Sequence, residues 1–267
     1  MLRLYYRLIF LFLIFPAIGF ADGMVISEEE ETPPPTNYTL LAEGAWLMTS
    51  NAGNESDVSG NNETLTQSGS APTSSTVPSG YTGTSRDFER SDPDHLYHSD
   101  GGSTDIYGSD QPLTIVAWVR TEGNTNDQVI ACKGGTGTDL QYYLRYDASD
   151  DGFWFCMSDD DTPTQVCAVS DAGMANNTWT HVVGVYDDST LTIYVNGVVS
   201  TNGSNNPKSY SNGIQNGPGT FRIGSFGGSS HFDGLIYELG IFNFAFTSGQ
   251  VIESYTYGLN GLKSSGE

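Results

Sequence analysis

The sequence predicts an all-β protein in which many short antiparallel strands form a two-sheet sandwich or a barrel. Three features predict this class: short segments of alternating apolar residues, turn residues between those segments, and 32 glycines in 267 residues. The longest alternation covers residues 179–199 and contains two strands joined by a turn at residues 187–189. The second strand ends in Asn196-Gly197, a dipeptide typical of tight hairpin turns.

From residue 112 onward, strand patterns and turn signals follow each other at short, regular intervals. The predicted strands are 113–120, 129–133, 141–147, 153–158, 165–170, 180–187, 191–195, 220–223 and 234–242. The strands between residues 129 and 170 are expected to form one continuous antiparallel meander. No segment shows a helical period over more than three turns.

The first 21 residues resemble a secretory signal. Arg3 and Arg7 precede an apolar run over residues 8–20, and the small residues Gly19 and Ala21 precede a suitable cleavage point. We therefore expect an exported protein that is secreted or held at the cell surface. The apolar run is shorter than the about 20 residues that a membrane-spanning helix needs. An uncleaved N-terminal anchor is the alternative, and no membrane insertion of the mature domain is expected.

The segment 22–45 is predicted to be an acidic, proline-rich linker, with an acidic run at 28–31 and three prolines at 33–35. The folded domain is expected over residues 46–257. Residues 258–267 are polar and are predicted to form a flexible tail.

The chain is strongly acidic, with a formal net charge of −22 from 32 acidic and 10 basic residues. Nucleic-acid binding requires clustered Lys and Arg, so nucleic acid is excluded as a partner. The excess of carboxylates has two interpretations. It keeps an exported protein soluble, or a few of the carboxylates bind Ca²⁺, which prefers oxygen ligands.

Three cysteines allow one intrachain disulfide. Cys156 and Cys167 flank a polar turn and would face each other in a hairpin, where cross-strand Cα atoms lie within disulfide range. The alternative is that all three cysteines are small buried residues. Cys132 lies on an earlier predicted strand and would be left unpaired.

Four sets of segments, in the same order along the chain, are similar to motifs of laminin-G-like domains, members of the concanavalin A-like lectin and glucanase superfamily. The first, at residues 43–66, includes D-V-S-G-N, and the second, at 112–120, reads P-L-T-I-V-A-W-V-R. The hairpin at 179–197 contains W-T-H-V and Y-V-N-G, and the closing segments F-R-I-G-S and F-D-G-L-I-Y-E-L-G-I-F lie within 221–247. The resemblance implies a jelly roll of two antiparallel sheets and no single activity.

The resemblance also implies a Ca²⁺ site at the rim of the sandwich. Its ligands carry over to Asp57, to oxygens around Asn61 and Asn62, and to Glu238 on the closing strand. Tyr237 replaces the first acid of the family's closing motif, and neighbouring strand residues point to opposite faces. Because Ca²⁺ takes six to eight oxygens, we expect a weak site in which Asp57 is the dominant ligand, or no site.

The sequence does not favour catalysis. It lacks the E-x-D-x-x-E run of glucanases with this fold, and it contains no G-x-S-x-G elbow. The acidic segment 87–92 lies in a Gly/Ser/Pro-rich region without strand alternation. His181 is predicted on the inward strand face beside Trp179, where the family keeps a structural histidine. A polysaccharide hydrolase or lyase is the least favoured interpretation.

The predicted meander is rich in aromatic residues: Tyr142, Tyr143, Tyr146, Phe153 and Trp154. Most should lie in the core, but strand alternation must expose some of them to a ligand. We predict a non-catalytic recognition or adhesion module that binds carbohydrate or protein outside the cell. The alternative is a self-assembling structural subunit of an extracellular surface layer, appendage or filament.

Overall fold

A computed structural model describes residues 33–51, 53–92, 94–135, 139–158, 165–174, 176–227 and 229–261. The predicted signal segment, residues 1–21, and the linker up to residue 32 lie outside the described residues. The strands, in chain order, are β1 (Gly44–Trp46), β2 (Thr66–Ser68), β3 (Thr73–Ser74), β4 (Ser85–Phe88), β5 (His95–His98), β6 (Leu113–Thr121), β7 (Gln128–Lys133), β8 (Tyr142–Asp147), β9 (Gly152–Ser158), β10 (Gln165–Val169), β11 (Thr180–Tyr186), β12 (Thr190–Val195), β13 (Val198–Val199), β14 (Lys208–Ser209), β15 (Phe221–Ile223) and β16 (Gly234–Phe242). Short 3-10 helices cover Tyr38–Leu41 and Gly203–Asn205, and one α-helix, α1, covers Ser248–Tyr257.

The strands form two antiparallel sheets. The nine-stranded sheet has the order β13-β12-β11-β6-β16-β4-β3, with β1 also paired to β16 and β14 to β12. The seven-stranded sheet has the order β10-β9-β8-β7-β15-β5-β2. The predicted all-β, two-sheet jelly-roll sandwich is therefore confirmed, as is the continuous meander, which comprises β7 to β10.

The apolar core lies between the two sheets. Strand alternation sends Tyr142, Leu144 and Tyr146 of β8 into this core, together with Phe153 and Phe155 of β9. A second apolar cluster lies on the outer side of the nine-stranded sheet and includes Tyr38, Val183, Val185, Phe246 and Leu259. Both faces of the nine-stranded sheet are therefore buried along β11, which is buried at all its positions.

This double burial overturns the predicted orientation of His181. Val182 and Tyr186 belong to the core between the sheets, whereas the His181 ring packs at a tilt against Tyr255 of α1, with ring centroids 5.7 Å apart. His181 is fully buried, but it lies on the face that α1 covers. Alternation specifies which residues share a face, and it does not specify which face meets the other sheet when both are apolar.

The folded region extends beyond the predicted boundaries at both ends. Tyr38, assigned to the linker, is 1% exposed, and Leu259, assigned to the tail, is fully buried. The Thr39 N–H donates to the Leu259 carbonyl (3.1 Å), and the Tyr38 hydroxyl donates to Glu253 Oε2 of α1 (2.6 Å). The linker end and the start of the tail therefore pack together, so the predicted limits of 46 and 257 are corrected outward.

Helix α1 begins with a capping box, because Gln250 N–H donates to the Thr247 hydroxyl and Thr247 N–H donates to the Gln250 side chain. It packs against the outer face of the nine-stranded sheet through Val251, Ser254 and Tyr255. Among the residues that the structure describes, no helix is long and apolar enough to cross a membrane.

Candidate functional site

The outer face of the seven-stranded sheet carries the aromatic residues that alternation leaves out of the core. On β8, Tyr143 points away from the core, and on β9, Trp154 does the same. Arg145 and Trp154 are directly opposite each other in the β8–β9 pairing. Of the five aromatic residues named from the meander, Tyr143 and Trp154 are therefore the two on this outer face.

Arg145 lies in a fixed position between aromatic rings and carboxylates. Its guanidinium carbon is 4.6 Å from the centre of the Trp154 ring and 5.5 Å from that of Tyr143. The same guanidinium donates to Asp127 Oδ2 (2.9 Å) and to Asp147 Oδ2 (2.5 Å). Two ion pairs and two ring contacts leave the side chain little freedom, so its charge is held in place on the sheet surface.

Arg145 lines a cavity of about 230 Å³ on this face. The apolar wall is formed by Val129, Tyr143 and Phe226. The rings of Tyr143 and Phe226 meet edge to face with centroids 6.0 Å apart. The polar wall includes Gln165, whose Oε1 accepts a hydrogen bond from the Tyr143 hydroxyl (2.7 Å). A cavity that combines an apolar wall with a few fixed polar groups is typical of small-molecule sites.

A second, more open cavity of about 640 Å³ adjoins the first at Ser230, which lines both. Its lining is polar and includes Arg90, Asn126 and Asp127. Asp127 accepts hydrogen bonds from the Ala148 N–H (3.1 Å) and from Arg145, so it connects the two cavities. We call the two cavities together the sheet-face groove.

The cysteine pair predicted from the sequence borders this groove. Cys156 of β9 and Cys167 of β10 are directly opposite in the strand pairing and are joined by a disulfide. Gln165 lies two residues before Cys167 at the start of β10, so the disulfide holds its strand against the sheet. Cys132 is buried and free, and burial raises its pKa to about 12.

The predicted Ca²⁺ ligand Asp57 organises its own turn. Its carboxylate accepts hydrogen bonds from the backbone N–H groups of Ala45 (3.0 Å), Ser59 (2.9 Å) and Glu63 (3.1 Å), and from the Ser59 hydroxyl. Burial alone would raise the pKa of Asp57, but these hydrogen bonds together lower it. Asp57 is therefore ionised at neutral pH and fixes the turn to β1.

The other predicted ligands divide between this turn and a separate buried position. Asn61 donates its amide hydrogens to the carbonyls of Ala42 (3.0 Å) and Glu43 (3.1 Å), and Asn62 has a left-handed backbone with φ 64°. Glu238 instead accepts from the Leu259 N–H (3.2 Å). Asp57 and Glu238 thus belong to different hydrogen-bond sets, and the Ca²⁺ site stays a prediction.

A β-bulge at Tyr237 shifts the pairing of β16 with β6 between Ile236 and Glu238. The bulge allows Tyr237 and Glu238 both to lie on the side facing away from the inter-sheet core. Glu238 is 1% exposed there, and burial raises its pKa to about 8. At neutral pH it is a protonated carboxylic acid rather than an anion.

One acidic cluster lies away from the predicted ligands. Asp87, Glu89 and Glu122 bring one carboxylate oxygen each within 4.8 Å of one another. Burial, and then the charge of Glu122, raises the pKa of Asp87, while Arg120 pairs with Glu122 at 2.7 Å. Asp87 lies on β4, although the sequence of the segment 87–92 shows no strand alternation. The strand is only four residues long and does not alternate clearly.

A sequence profile of the concanavalin A-like lectin/glucanases superfamily matches residues 94–252, more than half of the chain. No curated protein sequence matches the chain.

Several solved structures share the fold. Domain 4 of the extracellular GH43 arabinanase from Geobacillus stearothermophilus, in complex with arabinotriose, has a TM-score of 0.61 at 17% identity, and the match covers 79% of this chain and 97% of that domain. The binding domain of Paraclostridial Mosquitocidal Protein 1 has a TM-score of 0.62 at 13% identity, with 82% of this chain and 52% of that domain covered.

The ligand binding domain of botulinum neurotoxin serotype D, in complex with N-acetylneuraminic acid, has a TM-score of 0.60 at 10% identity, with coverages of 82% and 51%. The chain spans about half the length of these two toxin domains. At such low identities the likeness shows the fold alone.

Proposed function

The chain belongs to the concanavalin A-like lectin/glucanases superfamily, and we propose that it is a carbohydrate-binding module whose ligand lies in the sheet-face groove. One observation carries the proposal: the aromatic residues Tyr143 and Phe226 line the same cavity as a fixed Arg145, on the outer face of the seven-stranded sheet. Sugars present apolar C–H faces and hydroxyl groups on the same ring. They therefore suit a site that combines aromatic rings with fixed hydrogen-bond donors.

The shape of the groove favours an oligosaccharide over a single sugar. The smaller cavity offers the partly exposed ring of Phe226 for stacking, whereas the larger one offers Arg90, Asn126 and Asp127 for hydrogen bonds. A chain of several sugars would contact both cavities across Ser230. Two of the structurally similar domains are complexed with saccharides, arabinotriose in one case and N-acetylneuraminic acid in the other, which supports the ligand class.

The arrangement of charges favours binding over cleavage. Glycoside cleavage by the common mechanism needs one carboxyl group that holds a proton and a second that stays ionised. In the groove, Asp127 and its neighbour Asp147 both pair with the same guanidinium of Arg145. Among the described residues that line the two cavities, Asp127 is the one carboxyl group, so the pair that this mechanism needs is not present there.

We further propose that the module acts outside the cell. The Cys156–Cys167 disulfide suits an oxidising compartment, and the predicted signal at residues 1–21 would deliver the chain there. Its partners would be glycans of a cell surface or an extracellular matrix.

The binding proposal is tested with the mature chain, residues 22–267, on an array of immobilised oligosaccharides that includes arabinotriose and sialylated glycans. We expect saturable binding to at least one glycan. Phe226→Ala and Gln165→Ala should each weaken that binding at least tenfold, which corresponds to about 1.4 kcal/mol. Phe226 supplies the stacking surface, and Gln165 holds the Tyr143 hydroxyl.

Tyr107→Ala is the matched control, because Tyr107 is an aromatic residue that is 46% exposed and lines neither cavity. It should leave binding unchanged. The groove would be excluded if glycan binding survived both groove variants at full strength. Concentration-dependent polymerisation without binding to any glycan would instead favour the structural-subunit interpretation.

A further inference from the structure

A second cavity rich in aromatic residues lies on the opposite side of the sandwich, against the outer face of the nine-stranded sheet. It has a volume of about 400 Å³. Four separate segments supply its aromatic walls: Tyr81 from the loop before β4, Trp118 from β6, Trp179 from the turn before β11, and Tyr255 from α1. We call this cavity the aromatic pocket.

The walls of the aromatic pocket are held by contacts among themselves. Trp118 stacks on Tyr255 with ring centroids 5.5 Å apart and an interplanar angle of 24°. Tyr81 meets Trp118 at 5.5 Å and an angle of 63°, and its hydroxyl donates to the Tyr255 carbonyl (2.7 Å). The pocket is therefore formed before any ligand arrives, which lowers the entropic cost of binding.

The pocket also contains polar groups suited to hydroxyl ligands. Ser79, Thr178 and Thr256 contribute hydroxyl groups to its lining. The buried indole N–H of Trp179 has no hydrogen-bond acceptor within the described protein. A buried donor without a partner is costly. Trp179 is half-buried, and a small reorientation of its side chain would let the N–H donate to an oxygen atom of a bound ligand.

Among the described residues, no charged side chain lines the aromatic pocket. Two titratable groups packed behind it, His181 and Glu238, are neutral at pH 7. Burial lowers the pKa of His181 to about 3, and the His181 ring packs at a tilt against Trp118 with centroids 5.2 Å apart. Burial also keeps Glu238 protonated at pH 7. A cation in the pocket would lack a counter-charge, and so would an anion.

We propose that the aromatic pocket is a second carbohydrate-binding site, which takes an uncharged sugar. Rings for stacking, hydroxyl groups around them, an unsatisfied indole N–H and the absence of lining charge together fit a neutral pyranose or furanose. The site is independent of the sheet-face groove, because its walls come from the other sheet and from α1. Two sites on opposite faces would make the module bivalent.

The experiment uses the indole N–H signals in ¹H–¹⁵N NMR spectra of the mature chain. The sequence has four tryptophans, and they report on different places. Trp46 lies in the core, Trp154 beside the groove, and Trp118 and Trp179 in the aromatic pocket. Single Trp→Phe variants assign the four signals.

The probes are methyl glycosides of glucose, galactose, mannose, xylose and arabinose. Each is titrated to about 50 mM, because a monosaccharide with a Kd in the mM range has a binding free energy of only about 4 kcal/mol.

At least one glycoside is expected to shift the Trp179 signal saturably. Trp179→Phe keeps an aromatic ring but removes the indole donor, and it should weaken binding about tenfold, as read from the Trp118 signal. Thr178→Ala, at an exposed position of the lining, should also weaken binding. Tyr107→Ala is the control that should not, and an unchanged Trp46 signal verifies that each variant is folded.

The outcomes separate the two sites. A glycoside that shifts the Trp154 signal and leaves Trp118 and Trp179 unchanged overturns the second site while supporting the groove. Shifts of Trp179 without any at Trp154 support the second site whether or not the groove binds. Tetramethylammonium chloride tests the ligand class, because shifts with this cation and with no sugar would overturn the assignment to an uncharged sugar. No shift with any probe would also overturn it.

Discussion

Glu238 is a fully buried carboxyl group whose two oxygens share one N–H donor, that of Leu259. Burial raises its pKa from 4.5 to about 8. Between these two pH values the folded protein holds a proton that the unfolded chain releases, so raising the pH favours unfolding. The contribution of Glu238 to stability is therefore fully present below about pH 4.5 and is lost as the pH rises through about 8.

Replacing Glu238 with Gln should remove this dependence, because the amide cannot ionise but can still accept from the Leu259 N–H. In wild type, ionisation of Glu238 lowers the free energy of unfolding by at most about 1.4 kcal/mol for each unit that the pH rises. Urea unfolding at pH 5 and at pH 8, followed by tryptophan fluorescence, measures the difference. We expect a smaller loss of stability from pH 5 to pH 8 in Glu238→Gln. Equal losses in both proteins would mean that Glu238 is ionised in the folded state.

The hydrogen bonds of Asp57 and its predicted role in binding Ca²⁺ can be tested separately. In the presence of a chelator, Asp57→Ala should lower the free energy of unfolding by about 2 kcal/mol, because three backbone N–H groups lose a charged acceptor. If the turn also binds Ca²⁺, the metal should raise the melting temperature of wild type and have no effect on the variant. A hundredfold excess over Kd would add about 2.7 kcal/mol. A wild-type melting temperature that is the same in Ca²⁺ and in chelator would rule out the predicted site.

The same residues show how far sequence patterns determine a site. Alternation along β8 and β9 is visible in the sequence. The sequence does not show which alternate set of residues faces the core, since both faces of the strands carry aromatic residues. In the structure, Tyr143 and Trp154 lie on the outer face, where both rings contact Arg145 beside the cavity. The aromatic pocket was not predictable, because Tyr81 and Tyr255 lie 174 residues apart and meet only through the position of α1.

At the level of secondary structure, predictability follows the length of the alternating segment. Each of the nine strands predicted from residue 113 onward matches its observed counterpart within one residue at either end. The first five strands contain two to four residues each, which is too short for a period to be visible. Helix α1 is ten residues long, and its sequence signal was the capping box at Thr247 and Gln250 rather than a helical period.

The β9–β10 hairpin carries a disulfide that closes a short loop, with a sequence separation of 11 residues. A disulfide that closes a loop of this size stabilises the folded protein by somewhat less than about 3 kcal/mol, because it lowers the entropy of the unfolded chain. The double variant Cys156→Ser, Cys167→Ser should lose about this much stability in urea unfolding. It should also bind glycans more weakly, because Gln165 lies on the released edge strand.

Reduction of wild type with dithiothreitol serves as the control for the hairpin, since it breaks the same bond without changing the sequence. It should reproduce the stability of the double variant. Peptide mapping of the unreduced protein should show Cys156 linked to Cys167. A link that involves Cys132 would contradict the pairing of β9 with β10.

For the molecule as a whole, the sandwich presents two different faces. The outer face of the seven-stranded sheet is open and carries the fixed charge of Arg145, whereas that of the nine-stranded sheet is largely covered by α1 and the 38–45 segment. The net charge of −22 makes nucleic acid an unfavourable partner for either face but does not select a glycan. Composition therefore narrows the partner class, and side-chain geometry is needed to locate the sites.

The covered face also defines the true limits of the domain. A chain of residues 46–257, cut at the boundaries that composition suggests, would lose Tyr38 and Leu259 from the apolar cluster and Gly44 and Ala45 from the pairing with β16. Removing one large buried side chain lowers the free energy of unfolding by about 2–5 kcal/mol. The free energy of unfolding of a whole domain is only about 5–15 kcal/mol. We expect residues 46–257 to be unfolded or at least about 5 kcal/mol less stable than residues 34–261. Residues 34–261 should melt, by circular dichroism, at the same temperature as residues 22–267. Equal melting temperatures for all three chains would show that the packing of Tyr38 and Leu259 against α1 contributes nothing to the stability of the sandwich.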